Sequence, residues 1–264
     1  MLNAISLPHG HPWKDSLVYL ETVDSTNTRA KALAASGASH GTVVFADCQR
    51  AGRGRLGRSF QSPPGMGIYL SVILRPNCAA EDLMHLTCAV GVAMCDAVEN
   101  ACGFRPGIKW INDLVANRRK LGGILTELAF KPGTQMVDYA VVGIGINCLQ
   151  KPEDFPAELQ EIACSAATVT GKEISRAKLL SAMIVALETM SRGLLSNKSA
   201  IMHQYRKDCV TLGQAVQVIQ NEHRRNAVAL DIDEQGGLVV CYEEGSVQTV
   251  SCGEVSVRGL YGYL

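Results

Sequence analysis

The sequence predicts an α+β fold, in which helices back a mixed β-sheet and a small β domain follows at the C-terminus. Two apolar patterns with helical spacing, over residues 81–102 and 175–194, lie among β-branched segments that are typical of strands. After residue 211 the pattern changes to short β segments separated by Gly-containing turns. We therefore expect a large domain over residues 1–211 and a barrel-like β domain over residues 212–264.

The composition is that of a folded chain without overall charge. Hydrophobic residues make up 47% of the chain, which supports a substantial core. Lys+Arg and Asp+Glu number 25 each, so no general field would recruit nucleic acid, and any cationic site has to be local. No segment approaches the ~20 apolar residues of a membrane span, and no secretory signal is evident. Ten cysteines without a C-x-x-C pair indicate a reducing compartment, and we predict a cytoplasmic location.

The first half of the chain is predicted to alternate strands and helices. Residues 17–21 and 41–48 form strands, and between them a helix begins at Thr28 and ends before Gly37. A strand over residues 68–75 precedes the long helix that ends at Gly103. Residues 107–129 are predicted to form three strands, separated by turns at 112–113 and 117–119, and a further strand covers 136–147. Loops over 152–156 and 163–171 and helices over 175–194 and 200–209 follow. The last predicted strands cover 215–219, 226–232, 237–242, 246–250 and 254–258.

The most unusual stretch covers residues 49–60, which we call the Arg-rich segment. It reads Gln-Arg-Ala-Gly-Arg-Gly-Arg-Leu-Gly-Arg-Ser-Phe, with three glycines and four arginines. Glycine lets a backbone turn sharply and approach a ligand, and the guanidinium group suits carboxylate and phosphate oxygens. We predict a mobile cationic cover over a small anionic ligand. A basic loop that only faces solvent is the alternative.

Two nucleotide-binding motifs fit the Arg-rich segment only in part. Gly52, Gly54 and Gly57 have the spacing of a dinucleotide fingerprint, and the run from Gly52 to Ser59 approaches a P-loop. Both motifs need a helix to begin at the last glycine, whereas residues 61–65 read Gln-Ser-Pro-Pro-Gly, which is turn chemistry. We therefore expect neither motif.

Polar residues also stand at the ends of other predicted elements. Ser25, Thr26 and Asn27 precede a helix, where they can cap it or receive a neutral polar ligand. Lys120 lies where a hairpin re-enters the sheet beside two glycines, and Asn147 ends a strand. An exposed hairpin lysine and a turn-forming asparagine are the alternative interpretations.

Six motifs in sequence order resemble those of the biotin protein ligase family. Each is weak alone, but together they extend from about residue 17 to the C-terminus. They are Ser-Thr-Asn at 25–27, Gln49 with Gly-Arg-Gly-Arg-Leu-Gly-Arg at 52–58, Lys-Trp-Ile-Asn-Asp-Leu at 109–114, Lys-Leu-Gly-Gly-Ile-Leu-Thr-Glu at 120–127, Gly-Ile-Gly-Ile-Asn at 143–147 and Ser-Cys-Gly-Glu-Val-Ser-Val-Arg at 251–258.

The resemblance implies an ATP-dependent biotin–[carboxyl carrier protein] ligase. Biotin and ATP with Mg²⁺ would form biotinyl-5′-AMP, and a lysine of the biotin carboxyl carrier domain of a carboxylase would then take the biotinyl group. It also implies a class II synthetase-like sheet with an SH3-like C-terminal domain, in a monomer or homodimer that engages neither nucleic acid nor membrane. Only 24 residues precede Ser25, too few for the DNA-binding module of some relatives. A lipoate or octanoate ligase of related fold is the alternative, although it lacks the Gly-Arg-rich motif.

The resemblance also implies roles for individual residues. The catalytic residues would be Lys120, Arg55 and Asp113, and Mg²⁺ would enter with ATP near Asn112 and Asp113 without a protein cage. Biotin and its adenylate would be bound by Ser25, Thr26, Asn27, Gln49, Gly52, Arg53, Gly54, Arg55, Lys120, Gly122 and Gly123. ATP would be bound by Arg53, Arg58, Phe60, Lys109, Trp110, Asn112 and Asn147.

Two positions depart from the family pattern. Phe60 stands where many relatives have tryptophan, and Ile111 replaces the usual proline before Asn112. Phenylalanine can still stack on adenine, so we expect altered ATP affinity, and without the proline we expect a less rigid turn. Neither change removes a reacting group.

Overall fold

The computed structural model describes residues 5–220 and 223–251, together with the backbone of residues 255–259. Two β-sheets and five α-helices organise these residues. None of the helices described has the length and the apolar character needed to cross a membrane. Of the last sequence motif, residues 252–254 lie outside the described residues.

The larger sheet has seven strands in the order β1-β2-β3-β7-β6-β5-β4. β1 and β2 run parallel and every other neighbouring pair is antiparallel, which confirms the predicted mixed sheet. The strands are β1 Leu17–Val23, β2 Val43–Gln49, β3 Gly67–Leu74, β4 Gly107–Lys109, β5 Asp113–Ala116, β6 Arg119–Phe130 and β7 Val137–Asn147.

Helices cover both faces of this sheet. They are α1 Thr26–Ala35, α2 Leu86–Cys102, α3 Ala166–Thr170, α4 Arg176–Gly193 and α5 Lys198–Asp208. α1 packs on one face around Ala30, Ala34 and Val141, and α2, α4 and α5 form the main core on the other. All eight residues of β3 are therefore buried, as expected of a strand covered on both sides.

The long helix is shorter than its apolar pattern predicts. It begins at Leu86 rather than at residue 81, because Ala80–Leu83 form a separate 3₁₀ turn. The Asp82 carboxylate accepts a hydrogen bond of 3.1 Å from the Ala79 N–H and closes that turn. α2 ends at Gly103, as predicted, and this glycine takes the left-handed conformation.

Two other helix predictions need correction. α1 begins at Thr26, two residues before the predicted start, and Ser25 takes the N-cap position. The segment over residues 163–171 was expected to be irregular but contains α3, whose N-cap Ser165 and Thr168 cap each other's backbone N–H groups. α3 is difficult to predict from the sequence because it is rich in threonine and valine, which are poor helix formers.

The smaller sheet is antiparallel and has five strands in the order β11-β10-β9-β8-β12. Its strands are β8 Ala215–Gln220, β9 His223–Ile232, β10 Leu238–Tyr242, β11 Val247–Val250 and β12 Val255–Gly259. This separate sheet agrees with the expected SH3-like unit. The Trp110 indole N–H donates to Gly236 O at 2.9 Å and ties the smaller sheet to the larger one. The boundary between residues 211 and 212 stays a prediction.

Candidate active site

A cavity of about 480 Å³ opens on the larger sheet, within the size range of small-molecule sites. β6 and β7 form its floor, and its walls are the N-terminal turn of α1, the Arg-rich segment, the β4–β5 turn and residues 155–163. The predicted site residues that line it are Ser25, Thr26, Asn27, Gln49, Arg53, Gly54, Arg55, Arg58, Phe60, Lys109, Trp110, Asn112, Asp113, Lys120, Gly123 and Asn147.

Two predicted site glycines lie behind the cavity rather than in its lining. A Cβ atom at Gly52 would be 2.3 Å from Phe60 O, and one at Gly122 would be 2.5 Å from Gly145 O. Both glycines therefore permit close backbone packing that supports the cavity wall.

The first turn of α1 presents buried polar side chains to the cavity. Ser25 occupies the N-cap position, but its side chain makes no capping hydrogen bond within the described chain. The Thr26 N–H and hydroxyl both donate to Gln49 Oε1, at 2.9 and 3.1 Å. Asn27 Oδ1 lies 2.6 Å from the hydroxyl of Ser71, a fully buried residue of β3. These side chains are held by the sheet, which leaves them oriented for a ligand.

The Arg-rich segment folds back on itself above the sheet. The Phe60 N–H donates to Gly52 O at 2.9 Å, and the Gly54 N–H donates to Arg58 O at 2.7 Å. Leu56, at the tip, has a positive φ of 55° and is 55% exposed. The segment is therefore an ordered turn at its base with a solvent-facing apolar tip.

Two arginines of this segment turn towards the site. Arg55 Nη1 donates to Asn112 Oδ1 at 3.2 Å, and the Asn112 side chain in turn donates to Ile124 O at 3.0 Å. Arg53 forms an ion pair of 3.2 Å with Glu127 on β6. Contacts with the β4–β5 turn and with β6 thus place the two guanidinium groups over the cavity.

The carboxylate of Glu127 is stabilised in its charged form. Partial burial opposes ionisation, but hydrogen bonds from Asn27 and Lys31 and the nearby charge of Arg53 outweigh it. These donors hold the pKa of Glu127 below its ordinary value.

Lys120 is fixed by backbone pairing on both of its peptide groups. Its N–H donates to Ile162 O at 2.7 Å, and its carbonyl accepts from the Cys164 N–H at 2.9 Å. The ammonium group lies 2.6 Å from Asp113 Oδ1, and the Lys120 side chain is about one third exposed. The hairpin thus holds a lysine and a carboxylate together at the cavity, and Lys120 is not a purely solvent-facing residue.

Other predicted residues take structural contacts at the cavity edge. Asn147 is buried, donates to Cys164 O at 3.1 Å and accepts from Gln150 Nε2 at 3.4 Å. Trp110 is also buried, and its peptide bond to Ile111 is cis. Phe60 lies with its ring 6.3 Å from that of Tyr69 in an edge-on arrangement.

Sequence reasoning missed part of the wall and two glycines of the floor. Phe155, Leu159 and Ile162 line the cavity. Phe155 lies in the predicted loop over residues 152–156 and the other two follow it without any prediction, although their spacing of four and three residues was a signal. A Cβ atom at Gly143 would lie 1.9 Å from Asn27 Oδ1, and one at Gly145 would lie 2.5 Å from the Phe60 ring. These glycines make the room in which both side chains sit.

The arrangement suits the binding of anions beside a neutral polar group. Cationic side chains from three different elements, Arg53 and Arg55, Lys109, and Lys120, line the same cavity. Such groups can bring together two anionic reactants and stabilise charge that develops between them. Among the residues described, no three His, Cys, Asp or Glu side chains gather as a metal site.

Comparisons with known proteins identify the family. Residues 19–147 match the family model for the Biotin/lipoate A/B protein ligase family, and residues 211–258 match that for the Biotin protein ligase C terminal domain. The Bifunctional ligase/repressor BirA of Bacillus subtilis is 34% identical over 230 residues, which cover 87% of this chain and 70% of that protein. The chain belongs to the biotin protein ligase family.

Further biotin protein ligase relatives cover nearly the whole chain. The Biotin--[acetyl-CoA-carboxylase] ligase of Mycobacterium tuberculosis is 33% identical over 93% of this chain and 90% of that protein. A biotin protein ligase from Aquifex aeolicus, solved in complex with biotin and ATP, matches with a TM-score of 0.78 and 30% identity, over 92% of this chain and 99% of the other. The family resemblance inferred from the six motifs is thereby confirmed.

Proposed function

We propose that this protein is an ATP-dependent biotin–[carboxyl carrier protein] ligase. The observation that carries the proposal is the convergence of arginine, lysine and neutral polar side chains on one cavity of the larger sheet. In the reaction, a biotin carboxylate oxygen attacks the α-phosphorus of ATP, and pyrophosphate leaves. An amine then attacks the acyl carbon of biotinyl-5′-AMP, and AMP leaves.

The first step needs two anions to meet, and the cavity supplies the cations for this. We assign Lys120 to the biotin carboxylate and the α-phosphate, because it lies on the cavity floor and is held by backbone pairing. Arg53 and Arg55 cover the same space from above, and Lys109 lines it from the end of β4. Their positive charges reduce the repulsion between the reactants and stabilise the transition state.

Neutral groups at the α1 end suit the uncharged ring of biotin. The ureido ring has two N–H donors and a carbonyl acceptor, and Ser25, Thr26, Asn27 and Gln49 offer hydroxyl and amide groups there. For the nucleotide, we assign Phe60 to the adenine and Arg58, Trp110, Asn112 and Asn147 to the ATP. The assignment divides the cavity into a neutral end and a charged end.

Mg²⁺ would enter this site together with ATP. Magnesium prefers oxygen ligands and is often held by substrate phosphates with only one or two carboxylates. Asp113 and Asn112 are the oxygen-bearing side chains beside the lysines in the cavity wall, so the residues present fit such a shared ion. When bound, it neutralises part of the triphosphate charge.

The Arg-rich segment has a second role after adenylate formation. A mixed anhydride hydrolyses when water reaches it, so a cover that excludes water retains the intermediate.

In the second step the amine of the incoming lysine must lose a proton, and we assign the carboxylate of Asp113 to contact that amine. The acceptor is the lysine of a biotin carboxyl carrier domain.

We also propose a cytoplasmic location. The nine described cysteines form no disulfide, which suits a reducing compartment.

The function is tested by following both half-reactions with purified protein. Calorimetry with biotin and with lipoate identifies the acid, and pyrophosphate release in the presence of MgATP reports activation. Mass spectrometry of an added biotin carrier domain then reports transfer, with a carrier whose target lysine is replaced by arginine as the control. We expect biotin binding, pyrophosphate release and a single biotinyl group on the native carrier. Binding of lipoate in place of biotin would refute the proposal and support the lipoate ligase alternative.

A further inference from the structure

Glu127 on β6 joins α1 to the Arg-rich segment beside the cavity. Its Oε1 atom lies 3.1 Å from Lys31 Nζ and 3.2 Å from Arg53 Nη1. Its Oε2 atom accepts a hydrogen bond of 3.0 Å from Asn27 Nδ2. The side chain is 20% exposed, so these interactions are only partly screened by solvent. One carboxylate therefore contacts a residue at the neutral end of the cavity and a residue of its cover.

The contact with Asn27 determines which way its amide points. Asn27 Nδ2 donates to Glu127 and also to Leu125 O at 3.3 Å, while Oδ1 faces the Ser71 hydroxyl at 2.6 Å. A flipped amide would place its oxygen against a carboxylate and a carbonyl, which are both acceptors. The observed orientation leaves a second lone pair on Oδ1 that can accept an N–H of a bound ureido ring.

The contact with Arg53 holds the base of the Arg-rich segment against the sheet. Arg53 also forms a backbone bridge with Ser59 across the turn, so its position affects the whole segment. Its side chain is nearly half exposed, and without a partner it would be free to swing into solvent. The charge of Glu127 favours a position in which the segment covers the cavity.

We propose that Glu127 is a positioning residue that orients Asn27 for biotin and anchors Arg53 over the intermediate. The proposal rests on the proposed function, since it assigns how one pocket residue and the cover act together. Glu127 lies outside the cavity lining and acts through its two partners rather than by touching the reactants. Affinity for biotin and retention of the adenylate therefore depend on the same carboxylate.

The test compares Glu127→Gln with the wild type in two measurements. The substitution keeps the shape but removes the charge and one acceptor, so Asn27 can flip and Arg53 loses its ion pair. Calorimetry without ATP should show biotin Kd raised about tenfold, the upper end of the effect of losing one neutral hydrogen bond, here the bond from the ureido ring to Asn27. The rate at which biotinyl-5′-AMP leaves the protein should rise about twofold to fivefold, the range expected for loss of a partly exposed ion pair.

Matched variants separate positioning from a general loss of structure. Asp138→Asn removes the carboxylate of another ion pair, Arg75–Asp138 at 3.3 Å on the neighbouring strand, and should leave both readouts unchanged. In an Asn27→Ala background, Glu127→Gln should change biotin Kd by less than about twofold, because the orienting contact is already absent.

Each outcome decides between the ideas. If the wild type binds biotin and Glu127→Gln binds it equally well, or if the effect persists in the Asn27→Ala background, the positioning role is wrong. A change in only one of the two readouts refutes the shared role. Wild-type protein that binds no biotin refutes the proposed function itself.

Discussion

Substitution of Gly143 by alanine is the sharpest test of the neutral end of the cavity. The added Cβ atom would lie 1.9 Å from Asn27 Oδ1 and 2.7 Å from its Cγ. A carbon and an oxygen ordinarily approach to about 3.3 Å, so the amide would have to retreat by about 1.4 Å. The displaced amide loses its hydrogen bond to the ureido ring, which alone corresponds to as much as about tenfold in Kd, and we expect biotin Kd to rise by at least that factor.

Gly145→Ala is a matched control on the same strand and the same face. Its Cβ atom would meet the Phe60 ring at 2.5 Å rather than Asn27. We therefore expect ATP affinity to fall while biotin affinity measured without ATP stays within about threefold of the wild type. Neither glycine has a positive φ, so alanine fits the backbone and both variants should fold.

Calorimetry with biotin alone measures biotin Kd for both variants, and thermal unfolding shows whether each variant is folded. Equal losses of biotin affinity in the two variants would indicate a general disturbance of β7. Biotin Kd within about threefold of wild type for Gly143→Ala would show that Asn27 does not contact the ligand, and the division of the cavity into two ends would be wrong.

Three further predictions concern the charged residues of the site. Lys120→Ala should lower pyrophosphate release about 10²–10³-fold, as loss of one transition-state donor does, and release within tenfold of wild type would contradict its assignment. Arg55→Gly should allow the adenylate to escape and label bystander lysines, as measured by streptavidin blotting of a mixture of non-carrier proteins; unchanged labelling would count against the cover. Glu127 has a lowered pKa, so its carboxylate stabilises the fold above the ordinary glutamate pKa of about 4.3 and loses this contribution as pH falls below that value. The difference in Tm between the wild type and Glu127→Gln should therefore narrow from pH 7 to pH 3, and a constant difference would contradict the ion-pair account.

The strands and most of the cationic site could be predicted because their signals are local. β3 and β7 are apolar runs, and the Arg-rich segment stands out by composition alone. The predicted first residues of α1 and α2 were wrong because side-chain hydrogen bonds determine where these helices begin. Thr26 and Asn27 are inside the helix and bond to Gln49 and Glu127, so they do not act as caps before it.

The features of the site that the sequence did not predict depend on contacts between residues far apart in the chain. The Arg53–Glu127 ion pair joins residues 74 positions apart, and Gly143 matters only because Asn27 lies above it. The segment around Phe155 becomes a cavity wall because residues 162–164 pair with the backbone of Lys120. No local propensity encodes such contacts, since they arise when the sheet brings the elements together.

The indole of Trp110, which is hydrogen-bonded to Gly236, can serve as an intrinsic fluorescence probe. The chain has two tryptophans, and Trp13 is buried beside His40, away from the cavity lining. With Trp13 replaced by phenylalanine, the remaining indole emission would come from a ring that borders the cavity and touches the smaller sheet. Its spectrum would then follow ligand arrival and detachment of the smaller sheet in real time, without any added label.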